Sequence, residues 1–171
     1  MNLILTGMPG AGKSTLGVLL AKALGMEFID TDLLIQQSEG RLLQQIIDRD
    51  GVNRFMKIEE GVIAAIKADN AVIATGGSAV YYAAALHALR KGGRIVYLHV
   101  PFAEIERRIT NITSRGIVLP NGVSLRALYD ERVPLYRAVS DVAVNCAGRD
   151  IEQSVADIAA LVTVFPPRTT A

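Results

Sequence analysis

The 171-residue chain has a single cysteine, Cys146, so no disulfide can form within it. That excludes a disulfide-stapled scaffold and points to a reducing compartment. No histidine lies near Cys146 in sequence, so the thiol reads as a small buried hydrophobe rather than a nucleophile. An excess of charge of one sign is missing too: 18 Lys and Arg face 17 Asp and Glu, a net charge of +1. The basic residues are scattered rather than gathered into an arm, so no nucleic-acid partner is expected. No apolar run is long enough to span a bilayer. The N-terminal run Leu3-Ile4-Leu5 is short and no basic region precedes it, so neither a membrane partner nor a removable leader is expected, and the protein reads as cytoplasmic. His87 and His99 have no partners at metal-ligand spacing and read as structural. There is no repeat and no linker. At 50% hydrophobic and 20% charged residues, the composition is that of one globular domain, taken as 1–165 with a frayed tail at 166–171.

What is there is organised around Gly7-Met8-Pro9-Gly10-Ala11-Gly12-Lys13-Ser14, followed by Thr15. The segment fits G-x-x-x-x-G-K-[ST], the phosphate-binding loop pattern. Gly7 and Gly12 let the backbone turn sharply and approach a ligand closely. The loop amides, with Gly10, Ala11, Gly12 and Thr15 among them, then face inward as a cradle for anionic oxygens. Lys13 adds a cation for the β- and γ-phosphates, and Ser14 is set to ligate Mg²⁺. The context agrees. Leu3-Ile4-Leu5 reads as a buried strand before the loop. Leu16, Leu19, Leu20, Ala23 and Leu24 recur at helical spacing after it, and Gly25 is a natural stop.

Further along, Glu27 to Asp30 reads as a second strand ending in Asp30-Thr31-Asp32. Residues 33–50 read as two short helical pieces broken at Gly40. Asn53 is placed to cap a helix running to about Lys67. Ala71 to Thr75 is a buried strand leading into Gly76-Gly77-Ser78. A helix is expected from Tyr81 to Lys91, ended by Gly92-Gly93, then a strand from Ile95 to Val100. Phe102 to Thr110 reads as a helix with Glu104, Arg107 and Arg108 outward. Residues 111–122 are polar and rich in breakers, which suits a mobile lid. Ser124 is a cap for a helix from Leu125 to Val139 with Pro134 inside it. A last strand (Val142 to Cys146) and a last helix (Ile151 to Val164) follow.

Strands alternating with helices predict an α/β fold of three layers, a parallel sheet with helices on both faces. Ligands in such sheets bind outside the carboxyl ends of the strands. That edge gathers the phosphate loop, Asp30-Thr31-Asp32 and Gly76-Gly77-Ser78. If Asp30 and Asp32 both stay extended, they project to one side, one to support a metal through water and the other to take a proton from an attacking hydroxyl. The alternative is a solvated turn with Asp32 as a helix N-cap. Gly76-Gly77 is either a close approach to a ligand or a plain turn. Arg115 in the lid is either a closing charge over the phosphates or a solvated loop residue. Arg132 could equally be a surface arginine.

Taken together and in order, the phosphate loop, Asp30-Thr31-Asp32, Phe55-x-x-x-Glu59, Ala74-Thr75-Gly76-Gly77, Val96-Tyr97-Leu98 and Arg132-x-Pro134-Leu135-Tyr136 resemble the shikimate kinase family over nearly the whole chain. The resemblance implies strand order 2-3-1-4-5, as in nucleoside monophosphate kinases. It implies Mg²⁺-dependent transfer of the ATP γ-phosphate to shikimate, giving shikimate 3-phosphate in aromatic amino acid biosynthesis, by a monomer. By position, it makes Lys13, Asp32 and Arg115 catalytic and gives Mg²⁺ to Ser14 and Asp30. The acceptor falls to Asp32, Gly76, Gly77 and Arg132, and the nucleotide base lies near Arg108 and Arg149. Three positions depart from the family pattern. Met56 stands where the family carries an arginine for the acceptor's carboxylate, Ser78 replaces a third glycine, and Gly116 replaces the proline after the lid arginine. A guanidinium contact to a carboxylate is one that Met cannot make. Lys57 lies about 100° and Arg54 about 200° around the helix, so neither substitutes for it simply. Two other readings therefore stand beside shikimate: a related kinase for homoserine or gluconate, and a nucleotide-binding regulator without turnover.

Overall fold

A computed structural model of the chain describes residues 1–109 and 123–164. The lid anticipated at about 111–122, with Arg115 and Gly116, lies outside the described residues, as does the tail at 166–171. Five strands form one parallel sheet: β1 (Asn2–Thr6), β2 (Glu27–Asp30), β3 (Ala71–Ala74), β4 (Gly93–His99) and β5 (Val142–Asn145). Their order is β2-β3-β1-β4-β5, as the resemblance implied. The central strand β1 pairs Leu3, Ile4 and Leu5 with Val72, Ile73 and Ala74 on one side and with Arg94, Ile95 and Val96 on the other. Both faces of this strand are buried, which is why it reads as a continuous apolar run.

Eight α-helices surround the sheet among the described residues: α1 (Lys13–Leu24), α2 (Thr31–Glu39), α3 (Leu43–Asp50), α4 (Val52–Ala65), α5 (Ala83–Lys91), α6 (Phe102–Arg108), α7 (Leu125–Val139) and α8 (Ile151–Val164). Side-chain alternation along the strands divides the core. Leu3 and Leu5 pack with Leu16 and Leu20 of α1, Ile105 of α6, Leu128 and Tyr136 of α7 and Ile158 of α8. Ile4, Ile73 and Ile95 point the other way, toward Ile63 of α4 and Leu86 and Leu89 of α5. A smaller cluster of Ile35, Leu43, Ile46 and Phe55 ties α2 and α3 to α4. No helix among the described residues is long and apolar enough to cross a membrane.

Several boundaries differ from expectation. Gly51, not Asn53, is the cap residue of α4, and that helix stops at Ala65 before Lys67. Ala79–Tyr81 is a single 3₁₀ turn, and α5 begins only at Ala83. Gly93 belongs to β4 rather than to the helix stop. There it pairs with Asn2, and an added Cβ would lie 2.5 Å from the Asn2 carbonyl oxygen and 2.7 Å from Ile4 Cδ1. Gly93→Ala is therefore expected to cost about 1–3 kcal/mol by overpacking the sheet centre. Thermal unfolding should register this as a Tm lower by roughly 2–12 °C. Ser124 caps α7 as expected, its Oγ accepting from the Ala127 N–H at 3.1 Å.

Candidate active site

The loop after β1 turns on backbone conformations open to glycine. Gly7 has φ +147°, and a Cβ there would sit 2.8 Å from the Leu98 carbonyl oxygen. Gly12 has φ +92° and leads into α1, whose N-terminal amides and dipole then face the loop. Lys13, 9% exposed, folds back along the loop, and its Nζ donates to the carbonyls of Gly7 (2.9 Å) and Met8 (3.0 Å). Burial lowers its pKa to about 8, against the opposing pull of Asp32 and Asp30. Ser14 and Thr15 remain exposed beside it.

A cavity of about 550 Å³ opens next to this loop, lined by Gly10, Gly12, Ser14, Thr15, Arg108 and Arg149 among others. The P-loop residues and the two arginines assigned to a nucleotide are thus gathered in one place. Arg108 and Glu104 do not point outward as anticipated. They lie four residues apart on one face of α6 and form an ion pair, and Arg108 Nη1 donates to the Gly10 carbonyl at 3.3 Å. Arg149 pairs with Asp157 of α8. Cys146 lines the same cavity as a buried thiol, its pKa pushed up by burial, in keeping with a packing role.

The other segments meet on the far side of Lys13. Asp30 ends β2, but Thr31 already begins α2, so the two aspartates are not both extended. Asp30 is the residue that caps the helix, its Oδ1 accepting from the Asp32 N–H at 2.9 Å, and Asp32 is left free of that duty. Burial raises the Asp32 pKa to about 7, helped by the charges of Asp30 and Glu59 and opposed by Lys13. Gly76 donates its N–H to Thr31 Oγ1 at 3.0 Å, which joins the two loops. A Cβ on Gly76 would collide with Glu59 Oε1 and lie 3.2 Å from Asp32 Oδ1. A Cβ on Gly77 would stand 2.8 Å from Pro9 Cδ and 3.2 Å from Arg132 Nη1. The glycine pair is a close approach of four segments, not a plain turn.

Arg132 is not a surface arginine. It is 1% exposed, and it makes no ion pair with a carboxylate among the described residues. Its Nε donates to Tyr81 Oη at 3.1 Å, and its guanidinium carbon lies 5.1 Å from the centre of the Tyr81 ring. One helical turn on, Tyr136 Oη donates to the Gly77 carbonyl at 2.5 Å. A buried guanidinium with no carboxylate is costly unless an anion completes it.

Glu59, Ser78, Tyr81, Tyr82 and Tyr136 carry no assigned role in the sequence. Glu59 is 1% exposed on α4 and accepts from the hydroxyls of Ser78 and of Tyr82, the latter at 2.7 Å. Burial raises its pKa, and the two hydroxyls work against that rise. The available signal was spacing: Phe55, Glu59 and Ile63 recur every four residues, so a carboxylate stands on the buried face of α4. Met56 is half-buried against the apolar cluster under the sheet. Lys57 and Arg54 are both exposed. Lys57 borders an outer cavity of about 440 Å³ with Asn53, Met56, Glu60, Tyr81 and Tyr82.

The family model described as "Shikimate kinase" matches residues 9–163. The chain belongs to the shikimate kinase family. It is 41% identical over 170 residues to the shikimate kinase of Pseudomonas entomophila, covering 98% of this chain and 99% of that one. It is 41% identical over 150 residues to that of Mycobacterium marinum, covering 86% and 81%. Among solved structures, the shikimate kinase from Acinetobacter baumannii in complex with shikimate superposes with a TM-score of 0.84 at 30% identity, over 95% of this chain and 92% of that one. A gluconokinase from Sinorhizobium meliloti, at 19% identity and a TM-score of 0.50, shares the fold alone. The chain is an ATP-dependent phosphotransferase with an alcohol acceptor, as its motifs implied.

Proposed function

We propose that the chain transfers the γ-phosphoryl group of ATP to a hydroxyl of shikimate, yielding shikimate 3-phosphate and ADP. The observation that carries the acceptor half of this reading is Arg132. A buried guanidinium without a carboxylate partner, next to Gly77 and across from Lys13 and Asp32, suits an acceptor that is both an acid and an alcohol. The name and bound ligand of the A. baumannii relative support the same acceptor.

The roles follow from position and chemistry. The amides of Gly10, Ala11, Gly12 and Thr15 hold phosphate oxygens, with Arg108 and Arg149 beside the base. Asp32 accepts the proton of the attacking hydroxyl, whose oxygen bonds to the γ-phosphorus as the bond to the β-γ bridging oxygen breaks. Lys13 leaves its two loop carbonyls to offset charge on the transferring group. Gly76 and Gly77 offer backbone contacts to the acceptor. Mg²⁺ fits the donors present. Burial first, and then the charges of Asp30 and Glu59, lift the Asp32 pKa to about 7, and a cation beside these carboxylates favours the ionised form again. The hydroxyl of Ser14 and the carboxylate of Asp30 are hard oxygen donors that would hold it, Asp30 through water. When bound, the metal neutralises charge on the phosphate oxygens.

The test is a coupled ADP-release assay with Mg·ATP and shikimate, run beside homoserine and gluconate at matched concentrations. Turnover with shikimate at the lowest KM of the three is expected. Turnover with another acceptor alone would reassign the substrate, and Met56 would mark the change. ATP binding without turnover on any acceptor would contradict the reading outright.

A further inference from the structure

Among the described residues Arg132 is the one buried arginine, and Met56, half-buried against the core at the rim of the outer cavity, can donate no hydrogen bond. A lone arginine loses rotamer freedom whenever it clamps a ligand, so its grip depends on how well it is held beforehand. The structure holds it beforehand through Tyr81, with the Tyr136 hydroxyl beside it as well. We infer that Tyr81 is a positioning residue for acceptor recognition, fixing the Arg132 guanidinium so that a single arginine can hold the acceptor's carboxylate. This rests on the acceptor reading proposed above.

Three contacts carry the inference. The ring of Tyr81 lies under the Arg132 guanidinium at 5.1 Å, a cation–π geometry. Its hydroxyl oxygen accepts from Arg132 Nε at 3.1 Å. The hydroxyl proton is committed elsewhere, to Glu131 Oε1 at 2.7 Å, so a lone pair is what faces the arginine. Plane and edge of the guanidinium are both set. Nε is used, and the Nη edge lies along Gly77, with Nη1 3.2 Å from where a Gly77 Cβ would be. Tyr81 closes the 3₁₀ turn that leaves Gly77, and Tyr136 of α7 ties to the Gly77 carbonyl. The glycine turn and the arginine therefore sit as one unit.

Glu131 has the outer place in this chain. It is exposed, yet its carboxylate orients the hydroxyl that orients the arginine. With the phenol proton held by Glu131, the oxygen keeps a lone pair turned to the Arg132 Nε–H. An acidic residue next to a carboxylate-binding arginine would otherwise be an odd choice. Among the described residues Glu131 makes no ion pair with Arg132 and reaches it only through the Tyr81 hydroxyl.

The experiment measures KM for shikimate, KM for ATP, kcat and Tm in Tyr81→Phe, Arg132→Lys and the double variant. Tyr81→Phe keeps the ring and drops the hydroxyl. It should raise KM for shikimate about three- to tenfold, within the range of one typical net hydrogen bond. KM for ATP, kcat and Tm should barely move. In the Arg132→Lys background the same change should have no further effect, since lysine has no Nε–H to fix. An unchanged shikimate KM in Tyr81→Phe overturns the inference. So does a rise in both KM values with a lower Tm, which would mean plain packing. Equal effects of Tyr81→Phe with and without Arg132→Lys overturn it too. If Arg132→Lys itself leaves the shikimate KM unchanged, the acceptor reading of Arg132 fails and the inference with it. Tyr81→Leu, which removes ring and hydroxyl, should exceed Tyr81→Phe by the cation–π contribution, about two- to fivefold. A Leu variant no worse than Phe would remove the ring from the account.

Discussion

Asp32→Asn is expected to lower kcat about 10²–10⁴-fold, the usual contribution of a positioned general base. The same change should stabilise the protein above neutrality. The Asp32 pKa is about 7 in the fold against 3.8 for the ordinary side chain. Between those values the folded chain binds a proton that the unfolded chain has lost, so stability falls as pH rises through the window. The cost is fully present above about pH 7 and absent below about pH 4. Asparagine never carries the charge. Its gain should be on the order of 4 kcal/mol near pH 8 and nil near pH 4, read by denaturant melts at both. A variant that is nearly dead yet more stable only at the higher pH would identify Asp32 as a carboxylate held against its folding preference. Equal stability at both pH values would show that burial does not strain it.

Lys13→Met is the second large effect. It should lower kcat about 10²–10³-fold by removing a preorganised charge from the transferring phosphoryl group. Its pH signature is specific. Lys13 sits at about 8 in the nucleotide-free chain, because burial outweighs the pull of Asp32 and Asp30. The tetra-anion of ATP raises it again on binding. Above about pH 8, binding must therefore take up a proton, and ATP affinity should fall by up to about tenfold per pH unit. Calorimetry in buffers of different ionisation enthalpy should detect an uptake approaching one proton near pH 9 in the wild type. In Lys13→Met that uptake should vanish. On the stability side, the folded pKa is lower than the ordinary lysine value of 10.5, so the cost of burying the ammonium is fully present below about pH 8 and fades as pH rises toward 10.5. For the wild type, kcat/KM should form a bell, rising through about 7 with Asp32 and falling above about 8 with Lys13.

Much of this site is local in sequence, and that part was legible. The phosphate loop announces itself by glycine spacing, and the strand before it and helix after it by apolar period. The strand order came from the resemblance and not from the periodicity. What the sequence hid was contact at a distance. Glu59 meets Ser78 and Tyr82, and Arg132 meets Tyr81, across 19 to 51 residues of chain. No local pattern marks a tyrosine as an arginine's support. The extended pair weighed for Asp30 and Asp32 is absent for a different reason: β2 ends at Asp30, Thr31 already begins α2, and Asp30 spends an oxygen on the cap. The helical pattern turned Arg108 outward, while the resemblance set it beside the nucleotide base. On α6 it instead shares a face with Glu104 and turns to the Gly10 carbonyl. Met56 was flagged as a loss of charge. It is half-buried against the core and lines the outer cavity, so part of its side chain serves packing.

The most direct measurement follows the label. ATP carrying a labelled γ-phosphate, Mg²⁺ and shikimate are incubated with the protein, and the small-molecule products are separated. The account predicts label on a hydroxyl of shikimate, in step with ADP formation, and its loss in both Asp32→Asn and Lys13→Met. Label released only as inorganic phosphate, or carried by another acceptor while shikimate stays unlabelled, would contradict it.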